Sequence, residues 1–184
     1  MTPETSPSSP SPSSPPSPTP PPRLRRAVRA LVLDEAERLL LCRFLLTDRT
    51  GRPFVLWAAP GGGVAAGETH LAALRRELHE EVGLALTDDP PHVWHQEVVD
   101  PRIATGYDGV VNDYYLVRTA AFTPAGALGE VALAEENVHG TRWWRPDDIA
   151  GYTGPDLFSP RDLWTPLARL LADGPPGRPV RLGL

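Results

Sequence analysis

The stretch from Gly62 to Leu84, GGVAAGETHLAALRRELHEEVGL, constrains this chain most. It continues a triple-glycine run, Gly61-Gly62-Gly63, which lets bare backbone approach a ligand closely. Thr69 is a good N-cap and Gly83 a good residue just past a helix end, so a helix is predicted between them. Leu71, Leu74, Leu78 and Val82 recur at helical spacing and make one apolar stripe. At about 100° per residue, Glu77, Glu80 and Glu81 fall within an arc of roughly 100° beside that stripe. Carboxylates one turn apart repel, so the helix itself gains nothing from them. An oxygen-only cluster suits a hard cation such as Mg²⁺ or Mn²⁺, which neutralises the acids and also binds phosphate oxygens. For an isolated Glu-Glu pair a solvated acidic face would be the plainer explanation.

The full spacing favours the metal. The order is Gly62, five positions, Glu68, seven positions, Arg76-Glu77-Leu78, one position, Glu80-Glu81, one position, Gly83-Leu84. This resembles the signature of the Nudix hydrolase family at every specified position. The resemblance implies an α/β fold, a Nudix-type α/β/α sandwich with a mixed β-sheet, over residues 24–172. It implies a hydrolase that uses Mg²⁺ or Mn²⁺ to cleave a diphosphate joined to another group, usually in a nucleoside diphosphate derivative. Carried onto the matching positions, Glu80 and Glu81 are the firmest metal ligands, and Glu77 is either a ligand or the group that helps deprotonate water. Glu68 and Arg76 pair to hold the loop against the helix, with a supporting catalytic role for Glu68 left open. Gly61, Gly62 and Gly63 shape the substrate loop. A further ligand or base often comes from beyond the signature in this family; Glu97, Glu135 and Glu136 are the candidates, with Glu136 expected to join the metal ligands.

Aromatic faces suit a nucleobase, and Trp57, Tyr107, Tyr114 and Trp143 are the candidate platforms, Trp57 and Tyr114 foremost. Arg102 and Arg118 have planar forks fitted to phosphate. His70 projects near the acidic arc and is read as a surface histidine rather than a ligand. A nucleotide-sensing domain without efficient turnover is the alternative from another class, and the unbroken acid set argues against it. Isomerisation of prenyl diphosphates, known in a branch of the superfamily, leans on a cysteine. Cys42 sits in an apolar strand-like run, where a buried thiol is expected.

Length and composition bound the rest. A chain of 184 residues has room for one core-bearing domain. A net charge of −5 offers no basic field for nucleic acid or anionic membrane. The single cysteine permits no internal disulfide, and no apolar run reaches spanning length, so a cytoplasmic protein acting on a small-molecule diphosphate is expected. A homodimer is left open.

Residues 1–22 hold ten prolines among Ser and Thr and read as a disordered tail. Arg25 to Leu33 and Arg38 to Phe44 read as a hairpin about the turn Asp34 to Glu37. Further strands are predicted at Phe54 to Ala58, Val93 to Val99, Val110 to Thr119 and Thr141 to Trp144. Ala125 to Ala134 reads as loop, and Pro146 opens a short helical turn. A late helix starts at Thr165-Pro166, or at Ser159-Pro160 with a kink, and ends at Asp173-Gly174. Residues 173–184 read as an extended tail.

Overall fold

The computed structural model describes residues 20–135 and 137–183. The segment before residue 20 and Glu136 therefore lie outside the described residues, with the expectations placed on them. The strands are β1 (Leu24–Leu33), β2 (Leu39–Thr47), β3 (Pro53–Ala58), β4 (His92–Val98), β5 (Gly109–Arg118), β6 (Val138–Trp144), β7 (Leu157–Ser159) and β8 (Val180–Leu182). The helices are α1 (His70–Val82), α2 (Glu130–Glu135), α3 (Pro146–Ala150) and α4 (Trp164–Asp173).

The sheet is mixed and curled. Its order is β7-β3-β2-β1-β5-β4-β8, and β6 pairs with β2 off that path. The predicted hairpin forms, but β1 and β2 pair only beside the turn, at Leu33 and Leu39. Asp34 makes that turn: its Oδ1 accepts from the N–H groups of Ala36 at 3.0 Å and Arg38 at 2.8 Å, the habit of an Asx turn. Beyond the turn β1 runs parallel to β5 along its whole length, while β2 leaves to pair with β3 and β6.

That divergence frees one edge of β1, and the glycine loop takes it. Val28 N donates to Gly62 O at 2.9 Å, Ala30 N to Pro60 O at 2.8 Å, and Val64 N to Arg26 O at 3.0 Å. The loop is thus registered on the central strand.

Both faces of β1 are covered, which is why its second half reads as an almost continuous apolar run. Val28, Ala30 and Val32 pack with Ala73, Leu74, Leu78 and Val82 of α1. Leu31 and Leu33 point the other way, into a core with Ile149 of α3 and Leu163, Leu167 and Leu170 around α4. Burying each such side chain contributes roughly 1.5–3 kcal/mol before conformational entropy is subtracted. Helices on two faces of a mixed sheet are the expected sandwich, and Cys42 is buried in the α1 layer as expected.

Four local features differ from the sequence reading. Residues 130–135 form α2 where a loop was expected. The late helix begins at Trp164, two residues ahead of Pro166, the expected first helical residue, and Asp162 Oδ1 accepts from Thr165 N at 3.2 Å in its first turn. Leu157–Ser159 adds β7, parallel to β3. The C-terminal segment is extended, yet it is part of the sheet: β8 pairs in parallel with β4, and Gln96 Nε2 donates to Gly183 O at 2.8 Å. Among the described residues no helix is long and apolar enough to cross a membrane.

Candidate active site

Helix α1 carries the acids and is fixed at both ends. Thr69 Oγ1 accepts from Ala72 N at 3.2 Å, and Gly83 closes the helix in the left-handed conformation at φ 73°. Gly83 has a second reason to be glycine, since a Cβ there would lie 2.2 Å from Ala125 O. With the leucine stripe buried against β1, Glu77 and Glu81 reach the glycine loop directly, and Glu80 is linked to it through Arg76.

The loop and the acids fit each other closely. Gly61 N donates to Glu81 Oε2 at 2.7 Å. A Cβ on Gly62 would meet the Glu77 carboxylate, and one on Gly61, at φ 133°, would meet Val28 O. One on Gly63 would meet the Arg25 guanidinium. Each glycine of the run therefore allows an approach that a side chain would block.

Arg76 ties the assembly together. Its Nε and Nη2 donate to Glu68 at 3.0 and 3.1 Å, a bidentate fork, and Nη2 also reaches Gly63 O at 3.0 Å. Its Nη1 donates to Glu77 Oε1 at 2.7 Å and to Glu80 Oε2 at 3.1 Å. Glu68 in turn accepts from Ala65 N at 2.9 Å. The Arg76 guanidinium first, and the Ala65 N–H second, hold the Glu68 carboxyl below its ordinary range. The same pairing, led by Glu68, pushes the Arg76 pKa up, so the guanidinium stays charged.

Glu77 and Glu81 are buried, while Glu80 is about one-third exposed. Burying carboxylates together is costly unless positive charge and donors compensate; here the Arg76 guanidinium reaches Glu68, Glu77 and Glu80, and Gly61 N–H reaches Glu81. The donor set facing the loop is all oxygen, which fits a hard divalent cation and not a soft one.

Other candidates fall elsewhere. Trp57 belongs to the core: it is 7% exposed, packs edge-on to Trp144 and donates from Nε1 to Asp156 Oδ2 at 2.9 Å. Tyr114 is 2% exposed against Trp94, with its hydroxyl on Gln96, so its ring has no open face for a base. Trp143 packs on Phe122 and is overlaid by Arg38. Tyr107 is the exposed one of the four, with the Arg23 guanidinium over its ring. Arg102 is engaged by Asp100, and Glu97 by His95. Glu135 ends α2 with its side chain exposed. His70, expected at the surface, is half-buried and meets Tyr115 Oη at 3.2 Å. Arg29 was not anticipated: its Nη1 donates to Ala59 O at 3.2 Å and Gly61 O at 2.5 Å, bracing the loop. The only advance signal was an arginine set between apolar neighbours, Val28 and Ala30, in the part of β1 that is otherwise apolar from Ala27 to Leu33.

Comparison with known proteins agrees with this architecture. The sequence model of the NUDIX domain matches residues 23–168. The nucleoside triphosphatase NudI of Escherichia coli is 35% identical over 115 residues, covering 61% of this chain and 77% of that protein. The MutT Nudix hydrolase of Burkholderia pseudomallei has a similar fold, with TM-score 0.57 at 22% identity over 80% of this chain and 98% of that one. So has the Nudix domain of Shewanella oneidensis NrtR, solved with ADP ribose, with TM-score 0.56 at 18% identity over 80% of this chain and 88% of that one. A signature helix of buried and half-buried acids against a glycine loop, in this sheet and with these relatives, places the chain in the Nudix family as a Nudix pyrophosphohydrolase.

Proposed function

We propose that the chain hydrolyses the diphosphate linkage of a nucleoside diphosphate derivative, with Mg²⁺ or Mn²⁺ held by Glu77, Glu80 and Glu81. The observation that carries this reading is that the acids meet one assembly: Glu81 accepts from Gly61 N, Glu77 lies against Gly62, and the Arg76 guanidinium holds Glu77 and Glu80 while reaching Gly63 O. When bound, such a cation withdraws charge from phosphorus and acidifies water.

The chain's own groups do the rest. Glu80, the most exposed of the three acids, faces arriving ligands with the least desolvation to overcome. Glu77 Oε1 is already hydrogen-bonded and buried, placed either to ligate or to accept a proton from a water within reach. Glu68 and Arg76 keep the loop carbonyl of Gly63 fixed, so the backbone meets phosphate in one conformation. Glu136, outside the described residues, stays a proposed further ligand. A nucleoside triphosphate is the substrate class to try first, because the NudI relative is the one of highest sequence identity named above. ADP-ribose follows, on the weaker ground of a shared fold.

A metal-supplemented screen tests the reading. It covers nucleoside triphosphates, ADP-ribose, NADH, dinucleoside polyphosphates, nucleotide sugars, coenzyme A and oxidised deoxynucleoside triphosphates. Metal-dependent cleavage of a diphosphate linkage is expected, giving a nucleoside monophosphate together with pyrophosphate from a triphosphate or with the phosphomonoester of the other group from a diphosphate derivative. Tight nucleotide binding by calorimetry with no product on long incubation would make the domain a sensor instead.

A further inference from the structure

A second cluster of metal-ligating side chains lies outside the carboxylate site. His92 and His95 of β4 and Asp113 of β5 bring one ligand atom each to within 4.8 Å of one another. Asp113 Oδ1 is 2.8 Å from His95 Nδ1 and 3.0 Å from His92 Nε2. Two histidines three residues apart on a regular strand would point to opposite faces. Here a bulge between His92 and Trp94 shifts the register, so His92 pairs with Tyr115 and His95 with Asp113. Tyr115 and Asp113 are two apart on β5 and share a face, and both histidines are re-aimed onto it. Bulges that redirect a side chain recur at functional positions.

The surroundings are those of a ligand set. His95 presents Nδ1 to Asp113 while its Nε2 meets Glu97 Oε1 at 3.0 Å. That is the carboxylate–histidine arrangement that orients imidazoles on metals. The His92 ring stacks on Tyr115 with centroids 4.9 Å apart, which sets its plane. Asp113 is buried, and its second oxygen lies 3.5 Å from His70 Nδ1. Donors on a tetrahedral ion with bonds of about 2.0–2.1 Å are roughly 3.3 Å apart, so the Asp113–histidine separations need open by only a few tenths of an ångström.

We propose that His92, His95 and Asp113 form a second metal site, for a borderline divalent cation of the Zn²⁺ type, chemically distinct from the all-oxygen set on α1. Two imidazoles and one carboxylate favour such ions over Mg²⁺. Binding replaces the protons that now bridge the histidine nitrogens to Asp113 and, for His92, to Trp94 O. The ion clips β4 to β5 beside the first turn of α1, where His70 touches Asp113. His70 precedes Glu77 by two helical turns, about 10 Å along the axis, so the two sites do not share ligands.

The full chain, stripped of metal and held in excess Mg²⁺, is titrated with Co²⁺ and followed by its visible absorption. One equivalent with the strong bands of low coordination is expected. His95→Gln and the surface variant Glu97→Gln should each weaken binding about tenfold or more, and Glu80→Gln should leave it within twofold. Absence of stoichiometric binding, wild-type affinity in both His95→Gln and Glu97→Gln, or loss of the bands in Glu80→Gln would each overturn the site. Circular dichroism of every variant separates lost ligation from lost folding.

Discussion

The Glu77 carboxylate occupies the space that a side chain on Gly62 would need: a Cβ there would lie 2.5 Å from Glu77 Oε1. Glu77 cannot simply swing away, because it is buried and Arg76 Nη1 holds it at 2.7 Å. Gly62→Ala therefore moves a proposed ligand without touching the core. The expected outcome is a fall in kcat/KM of about 100-fold, since an ångström of misplacement costs that much, with little change in Tm. Gly129→Ala, where a Cβ meets nothing within 4 Å, is the control. Equal activity in the two variants would show that Glu77 need not sit where it does.

Asp34 gives a stability signature in acid. Burial on its own raises its pKa, but the Arg38 and Ala36 N–H groups and the Arg38 side chain outweigh burial and lower it. A depressed folded-state pKa contributes stability above the unfolded value, about 3.9, and loses it as pH falls through the folded value. Asp34→Ala should cost about 1.5–3 kcal/mol at neutral pH, and the gap from wild type should narrow only below roughly pH 4. Urea titrations at neutral and acid pH measure it; a gap independent of pH would remove the charge from the account.

How much of this was legible beforehand differs by element. The signature helix was readable to the residue at both ends, because Thr69 and Gly83 act through local chemistry that a string displays. The hairpin turn at Asp34 was readable for the same reason. Helix α2 was hidden by Gly126 and Gly129 just before it, and β7 and β8 are three residues each, defined by partners far away in sequence. Trp57 and Tyr114 show the limit for sites: an aromatic that can stack on a base can equally fill a core, and only burial decides. His92 and His95 were invisible as a pair, because strand alternation places them on opposite faces and a bulge is not written in the pattern.

The C-terminal strand offers a test of where the folded unit ends. Truncation after Gly174 removes the pairing of β8 with Trp94, His95 and Gln96 and the bond from Gln96 to Gly183. At a net of about 0.5–1.5 kcal/mol per hydrogen bond, less the entropy regained by the strand, a loss of roughly 1–3 kcal/mol is expected in chemical denaturation. An unchanged midpoint would make β8 an accessory to the sheet.

The central claim is that α1 gathers a hard cation between its acids and the glycine loop. Titration of the chain with Mn²⁺, followed by loss of the free-ion paramagnetic resonance signal, tests it most directly. The wild type should bind Mn²⁺, and Glu80→Gln should bind about tenfold more weakly or worse, since affinity follows the number of charged ligands. Metal-dependent turnover should fall with it while the thermal melt stays in place. Undiminished Mn²⁺ affinity and undiminished turnover in Glu80→Gln would contradict the account.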